Sequence, residues 1–289
     1  LLQKVGEISP REDYYLRGGT ATGRWHGSGA DDLGLQGTVS AEGLVRLFDG
    51  QHPATGEQLG RRIRKDGVAA WDLTFSADKS VSLLWAFGDA EVRRHVLEAF
   101  EEATTAALAY LESVASSTRG ASRTPILDEE GRPILDEHGA PRHRVESWPI
   151  RSNGYVSAWF TEFTSRADDP QLHTHVVVGN RVKGVDGEWR AIDGRLLYRH
   201  KLAAGYLHEA ELRSRLADAV AAQFGALDIL VNNAGVGAVG WFADADAQRL
   251  QRILTVNFVA PVELIRILLP RLQEGRRPIV VNVGSVLGH

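Results

Sequence analysis

Asp169-Pro170-Gln171-Leu172-His173-Thr174-His175-Val176-Val177-Val178 is the stretch on which the fold turns. Two histidines at i and i+2 head a β-branched run. In a strand both imidazoles then fall on one face, with Thr174 on the other. Placed so, they can point at one metal ion, and a strand holds ligands on rigid backbone. Immediately upstream, Tyr155 to Phe163 alternates and reads as a strand. Thr164 to Leu172 makes a polar connection, and His173 to Val182 returns as a strand. The expectation is an antiparallel pair with a functional end.

Farther out, Ala90 to Ser116 reads as a helix, because Val92, Val96, Ala99, Ala103, Ala107, Tyr110 and Leu111 recur at helical spacing. Trp71 to Trp85 reads as one strand, with Leu73, Phe75, Val81, Leu83 and Leu84 as its apolar residues. Its polar middle, Ser76 to Ser80, is taken as a bulge or turn. Residues 1 to about 70 are Gly-rich and loop-like, broken by short helical stretches such as Ala41 to Phe48. Residues 117 to 146 read as a linker or long loop. They carry a near-repeat, Ile126-Leu127-Asp128-Glu129-Glu130-Gly131 and Ile134-Leu135-Asp136-Glu137-His138-Gly139, expected to be a flexible hairpin or insertion. Past the strand pair, Arg190 to Leu197 reads as a short strand and Tyr198 to Leu216 as a helix.

The texture changes after about residue 217. Leu227 to Gly235 is a buried-strand pattern ending in a glycine turn, Arg249 to Gln273 a long amphipathic helix, and Ile279 to Ser285 a second buried strand. Strand, helix and strand in that order signal a parallel α/β unit. The junction is placed near 214 to 218, giving parts 1–216 and 217–289. The expected class is α+β, an antiparallel sheet with flanking helices, followed by an incomplete parallel α/β, Rossmann-like segment.

Composition excludes several classes. At 289 residues there is room for one large domain or two modest ones, and 43% hydrophobic with 24% charged residues is ordinary for a globular protein. With Cys at 0, disulfides and thiolate metal sites are ruled out, which fits a cytoplasmic protein. No apolar run is long enough to span a bilayer, no signal peptide is read, and no membrane partner is expected. A net charge of -4 gives no global nucleic-acid signature. A local basic run exists: Arg61, Arg62, Arg64 and Lys65. Met is 0 and the first residue is Leu, so the N-terminus is read as incomplete.

Upstream of the histidine pair, several motifs fall in order: Asp13-Tyr14-Tyr15, Gly23 to Gly37, Leu73 to Leu84, and Thr164-Ser165-Arg166 ahead of Asp169 to Val178. Over roughly residues 1 to 215 this resembles the relaxase domain of the MobF/TrwC type, a branch of the HUH endonucleases of conjugative plasmids. The resemblance implies single-strand DNA nicking at a transfer origin. A tyrosine hydroxyl attacks a backbone phosphate and becomes linked to the 5′ end. A histidine cluster holds a divalent metal that polarises that phosphate, Mn²⁺ or Mg²⁺ being the expected ions. A tyrosine, of pKa near ~10, needs help losing its proton or an activated electrophile. Carried over by position, Tyr14 and Tyr15 match the family's later tyrosine pair. Asp72 matches the carboxylate that supports the tyrosine or a metal ligand, and His173 and His175 match metal ligands. Arg166 would neutralise phosphate charge, and Arg61, Arg62, Arg64 and Lys65 would track the strand.

Two departures stand out. Where the family usually has its first histidine, this chain has Glu162, which makes the ligand set two histidines and one glutamate. The added negative charge is expected to weaken the ion as a Lewis acid and lower nicking activity. The family's earlier tyrosine pair would fall at or before residue 1.

Residues 217 to 289 are similar to the middle of a short-chain dehydrogenase/reductase, on Asn232-Asn233-Ala234-Gly235, Asn257 and Ser285. No Gly-rich fingerprint precedes this segment and no Tyr-x-x-x-Lys follows it. A non-catalytic fragment is expected, with no working NAD(P) site and no small-molecule substrate. Three other readings remain: an NAD(P)-dependent oxidoreductase fragment, a non-catalytic single-stranded DNA-binding module, and a two-His-one-carboxylate iron oxygenase. The helix at 90 to 116 argues against the last.

Overall fold

The alternating segments around the histidines form the middle of a sheet. The computed structural model describes residues 2–6, 23–64, 66–165, 167–233, 235 and 247–284. In chain order its strands are β1 (Leu2–Gly6), β2 (Arg24–His26), β3 (Val68–Ser76), β4 (Ser117–Pro125), β5 (His143–Arg151), β6 (Ser157–Thr164), β7 (Pro170–Gly179), β8 (Val182–Lys183), β9 (Trp189–Arg190), β10 (Ile229–Asn232) and β11 (Ile279–Asn282). Its helices are α1 (Ser28–Asp32), α2 (Ala41–Phe48), α3 (Lys79–Phe87), α4 (Ala90–Ala115), α5 (Gly194–Phe224), α6 (Ala247–Leu254) and α7 (Ala260–Gln273), with a π-helical turn at Thr255–Val259. Two compact units divide the chain: Leu1–Gly88 with Thr104–His208, and Asp89–Ala103 with Glu209–His289.

The first unit is built on a five-stranded sheet of order β1-β3-β7-β6-β2, antiparallel throughout. The central strand β7 is buried from Leu172 to Gly179. Its valines therefore need cover on both faces. On one face, Val177 joins Ala158, Phe160 and Ala70 against Leu44, Leu47 and Phe48 of α2. Helix α2 starts where Ser40 accepts a hydrogen bond from the Gly43 amide at 3.0 Å, and it turns its apolar side inward. On the other face, Trp71 and Phe75 of β3 meet Tyr198 and His208 of α5, at ring-centroid distances of 5.8 and 5.2 Å.

A carboxylate on α4 locks the start of β6 to the turn after β2. Glu112 accepts hydrogen bonds from the Ser28 amide (3.0 Å), the Ser28 hydroxyl (2.8 Å) and the Tyr155 amide (2.8 Å). The approach needs glycine on both sides. Gly27 and Gly154 have φ of 106° and 135°, and a Cβ on Gly27 would lie 2.5 Å from the Tyr155 carbonyl oxygen.

The sequence reading needs correction in four places. The Trp71–Trp85 segment is not one strand. The ladder with β7 ends at Ser76, where Ala77 donates to the Leu172 carbonyl and Leu172 donates to the Ser82 hydroxyl. Beyond it α3 satisfies its own backbone, and short apolar runs do not distinguish the two forms. Residues 117–146 are no linker. They contain β4 and the start of β5, which together form a ribbon of nine residue pairs. Its only buried residues are the small Ser117, Thr118 and Gly120 at its foot, so hydrophobic periodicity was silent. Each near-repeat is a turn in which Asp128 or Asp136 accepts amide hydrogen bonds, from Glu130 and Arg132 or from His138 and Ala140. The loop-like N-terminal region also holds strands β1 and β2. After the two-residue β9, the expected strand at 190–197 gives way to α5, which begins at Gly194 and takes in residues 214–218.

The second unit contains β10 and β11, parallel and in register from Ile229↔Ile279 to Asn232↔Asn282. Ala217, Leu268 and Leu272 pack with Leu227, Leu230 and Ile267. Ile229, Val231, Ile279 and Val281 stay exposed, against the habit of parallel strands.

His208 supplies a pH prediction. Burial pushes its imidazole from 6.5 down to about 4. The fold holds it neutral, while the unfolded chain takes up a proton near its ordinary pKa. Stability present above pH 6.5 is therefore lost as pH falls toward 4, by on the order of 3 kcal/mol. Urea midpoints measured against pH should show that slope for the parent protein and a flatter one for His208→Leu.

Candidate metal centre

Register assembles the site. In the β6–β7 ladder Glu162 lies opposite His173, and in the β3–β7 ladder Thr74 lies opposite His175. The period of two then puts Asp72, Thr74, Glu162, His173 and His175 on one face. One ligand atom from each of Glu162, His173 and His175 lies within 4.8 Å of the others. The His173 Nε2 to Glu162 Oε2 distance is 3.4 Å, and the two imidazole centroids are 5.2 Å apart. Both histidines and Asp72 are buried, and Glu162 is half-buried.

Neighbouring acceptors orient the rings. His175 Nδ1 donates to both Asp72 oxygens, at 2.9 and 3.1 Å. His173 Nδ1 donates to the Gln171 carbonyl at 3.0 Å. With both Nδ1 atoms engaged as donors, each Nε2 keeps a lone pair for a cation, the usual arrangement behind a metal-binding histidine. The donor set therefore fits a divalent ion: two imidazole nitrogens and a carboxylate oxygen on adjacent strands. Asp72 serves as the orienting partner of His175. The chain enters β7 through a turn pinned by Lys79, whose ammonium reaches Asp169 at 2.7 Å and the Pro170 carbonyl at 2.9 Å.

Asp72, Glu162, His173 and His175 are thus brought together. Arg61, Arg62 and Arg64 are not. They are exposed in a loop held by Arg181, whose buried guanidinium donates to the Leu59 and Arg61 carbonyls. Arg181 lies six residues beyond His175, roughly 20 Å away at strand rise. Tyr14, Tyr15, Lys65, Arg166 and Ser285 lie outside the described residues. Sequence reasoning missed the ribbon, whose Arg119, Arg123, Arg144, Arg151 and Trp148 are exposed. The alternation of arginine with small polar residues over 117–125 was the available signal.

A protein-family model described as TrwC relaxase matches residues 3–131 and 135–235. The chain belongs to the TrwC relaxase family. It is 32% identical over 222 residues to the multifunctional conjugation protein TraI of Escherichia coli, an alignment covering 71% of this chain and 11% of TraI. The chain therefore spans about a tenth of that relative. Among solved structures it resembles the conjugative relaxase TrwC in complex with oriT DNA in a metal-bound form. That match has 30% identity and a TM-score of 0.55, over 76% of this chain and 70% of the other. It also resembles TrwC complexed with a 27-mer DNA comprising the recognition hairpin and the cleavage site, at 27% identity and TM-score 0.54, over 92% of this chain and 82% of that one. The antiparallel sheet expected from sequence agrees with these relaxase folds. A second model, described as short chain dehydrogenase, matches residues 201–289 and overlaps the relaxase match over 201–235.

Proposed function

We propose that this chain nicks single-stranded DNA at a transfer origin by metal-dependent transesterification through a tyrosine. The observation that carries the reading is the cluster of Glu162, His173 and His175 with Asp72 behind His175. His173 and His175 through Nε2, and Glu162 through its carboxylate, would hold the ion. A donor set with a carboxylate suits Mn²⁺ or Mg²⁺. When bound, the ion supplies positive charge to a phosphate oxygen at the scissile bond. Glu162 returns negative charge to the site, so turnover is lower than with a third histidine.

The chain's own residues do the rest. The Tyr14 or Tyr15 hydroxyl loses its proton as its oxygen bonds to phosphorus. The bond from phosphorus to the 3′ oxygen breaks, and that oxygen leaves with a proton. Asp72 holds His175 in its tautomer and orientation. Arg166 balances phosphate charge, and Arg61, Arg62, Arg64 and Lys65 guide the strand away from the centre. The β4–β5 ribbon fits the groove of duplex DNA, which admits two strands, and so suits a hairpin beside the nick. We place the junction of the two homologous parts at about residue 216, and read the second as lacking an NAD(P) site. The setting is cytoplasmic. No described helix is long and apolar enough to cross a membrane.

The test is incubation with a hairpin-bearing single-stranded origin oligonucleotide and Mn²⁺, scored for a covalent protein–DNA adduct. An adduct that Tyr14→Phe or Tyr15→Phe removes assigns the nucleophile. No adduct with any divalent ion rejects the nicking activity and leaves a DNA-binding module or an inactive fragment. Titration with NADPH is expected to give no binding heat.

A further inference from the structure

Helix α5 carries an unabsorbed surface. Over Gly194 to His208 it has Arg195, Arg199 and Lys201 and no acidic residue. Tyr198, Leu202 and Tyr206 follow one another at intervals of four, so they share one side of the helix. Leu202 and Tyr206 face outward, 53% and 46% exposed, and Tyr198, whose ring meets Trp71 edge-on, is still 41% exposed. At 100° per residue, Arg195 and Arg199 fall in the same sector. The Lys201 ammonium sits 5.3 Å from the Tyr198 ring centroid. The two tyrosines are eight residues apart, ~12 Å along the axis.

The stripe begins at the foot of the ribbon. Asp193 pairs with Arg195 at 2.6 Å and with Arg119 of β4 at 3.6 Å, and Thr118 donates to the Ala191 carbonyl at 2.6 Å. It lies on the opposite side of the sheet from the metal centre, because α5 packs on Trp71 and Phe75 while Asp72 and Thr74 face the other way. Exposed aromatics among cations are what a single strand needs: planes for bases to stack on and charge along its backbone.

We infer that this face of α5 is a second single-stranded DNA surface, taking a segment other than the one being cut. The inference rests on the relaxase reading and extends it. Arg195 is paired with Asp193, but no acidic residue between Gly194 and His208 offsets Arg199 and Lys201, and that balance favours a polyanion over an apolar protein partner.

Fluorescence anisotropy tests it with a labelled, hairpin-free oligo(dT) of roughly 20 nucleotides in EDTA, so that neither the ribbon's duplex nor the metal contributes. The parent protein should bind. Tyr198→Ala/Tyr206→Ala should weaken binding about tenfold or more, the loss expected from removing two stacking planes. Arg199→Ala should lower the slope of log affinity against log salt by about 0.7. Tyr206→Trp, which keeps a plane, should bind as the parent does. Three results overturn the inference: a parent that does not bind, variants with unchanged affinity and salt slope, or a dimer in native mass spectra that Tyr206→Ala dissolves. The adduct assay separates the two readings. An adduct with no oligo(dT) effect rejects this surface alone, and an oligo(dT) effect with no adduct rejects the nicking activity alone.

Discussion

Replacing His175 with alanine is expected to abolish Mn²⁺ binding, read by isothermal titration calorimetry and by loss of the metal-induced rise in melting temperature. His173→Ala should do the same, because three donors make up the cluster among the described residues. Asp72→Asn should keep the ligands and weaken binding about 10- to 100-fold, the usual cost of losing an orienting partner. The asparagine amide can turn a donor toward Nδ1 and favour the wrong tautomer. Glu162→His should still bind, with its preference moved from Mn²⁺ toward Zn²⁺, since imidazole suits the latter. If His175→Ala binds Mn²⁺ as tightly as the parent does, these strands are not the metal site.

Trp159→Ala should cost about 3–5 kcal/mol, the range for deleting a large aromatic from a core. Trp159 is 1% exposed and stacks on His26 with ring centroids 4.0 Å apart. Its Nε1 donates to the Ser157 hydroxyl at 3.2 Å, and that hydroxyl donates to the His26 carbonyl at 2.6 Å. One ring thus helps hold edge strand β2 to β6, the strand that carries Glu162. The urea midpoint should fall with little change in slope. The same variant has a local signature. Burial holds His26 below its ordinary 6.5, so an NMR titration should find it moved upward once the ring is gone. An unchanged His26 titration would mean that the stack does not set its environment.

Much of the site was legible because a strand encodes its face in the chain. His173 and His175 share a side by spacing alone, and Ala41–Phe48 and Ala90–Ala115 announced themselves by helical period. The ribbon, with no buried apolar side, left no hydrophobic trace. Segment 79–87 was hidden because a short apolar run serves either form. The Arg61–Arg64 run reads as a track for the strand, and its distance from the metal cluster was not legible: Arg181 ties its loop to the far end of β7.

The sequence by itself determined which residue types are available and on which side of its own strand each falls: two histidines, one glutamate in place of a third, and Asp72. Only tertiary structure decided that they meet. The separation of Asp72 from His175 is 103 residues, closed by the β3–β7 ladder to a 2.9 Å hydrogen bond. Glu112 reaches Ser28 across 84 residues in the same way. The physical reason is one of range. Side-chain alternation is local geometry that every residue carries, whereas register comes from the packing of buried faces, and a slip of one residue would turn both imidazoles away from Glu162.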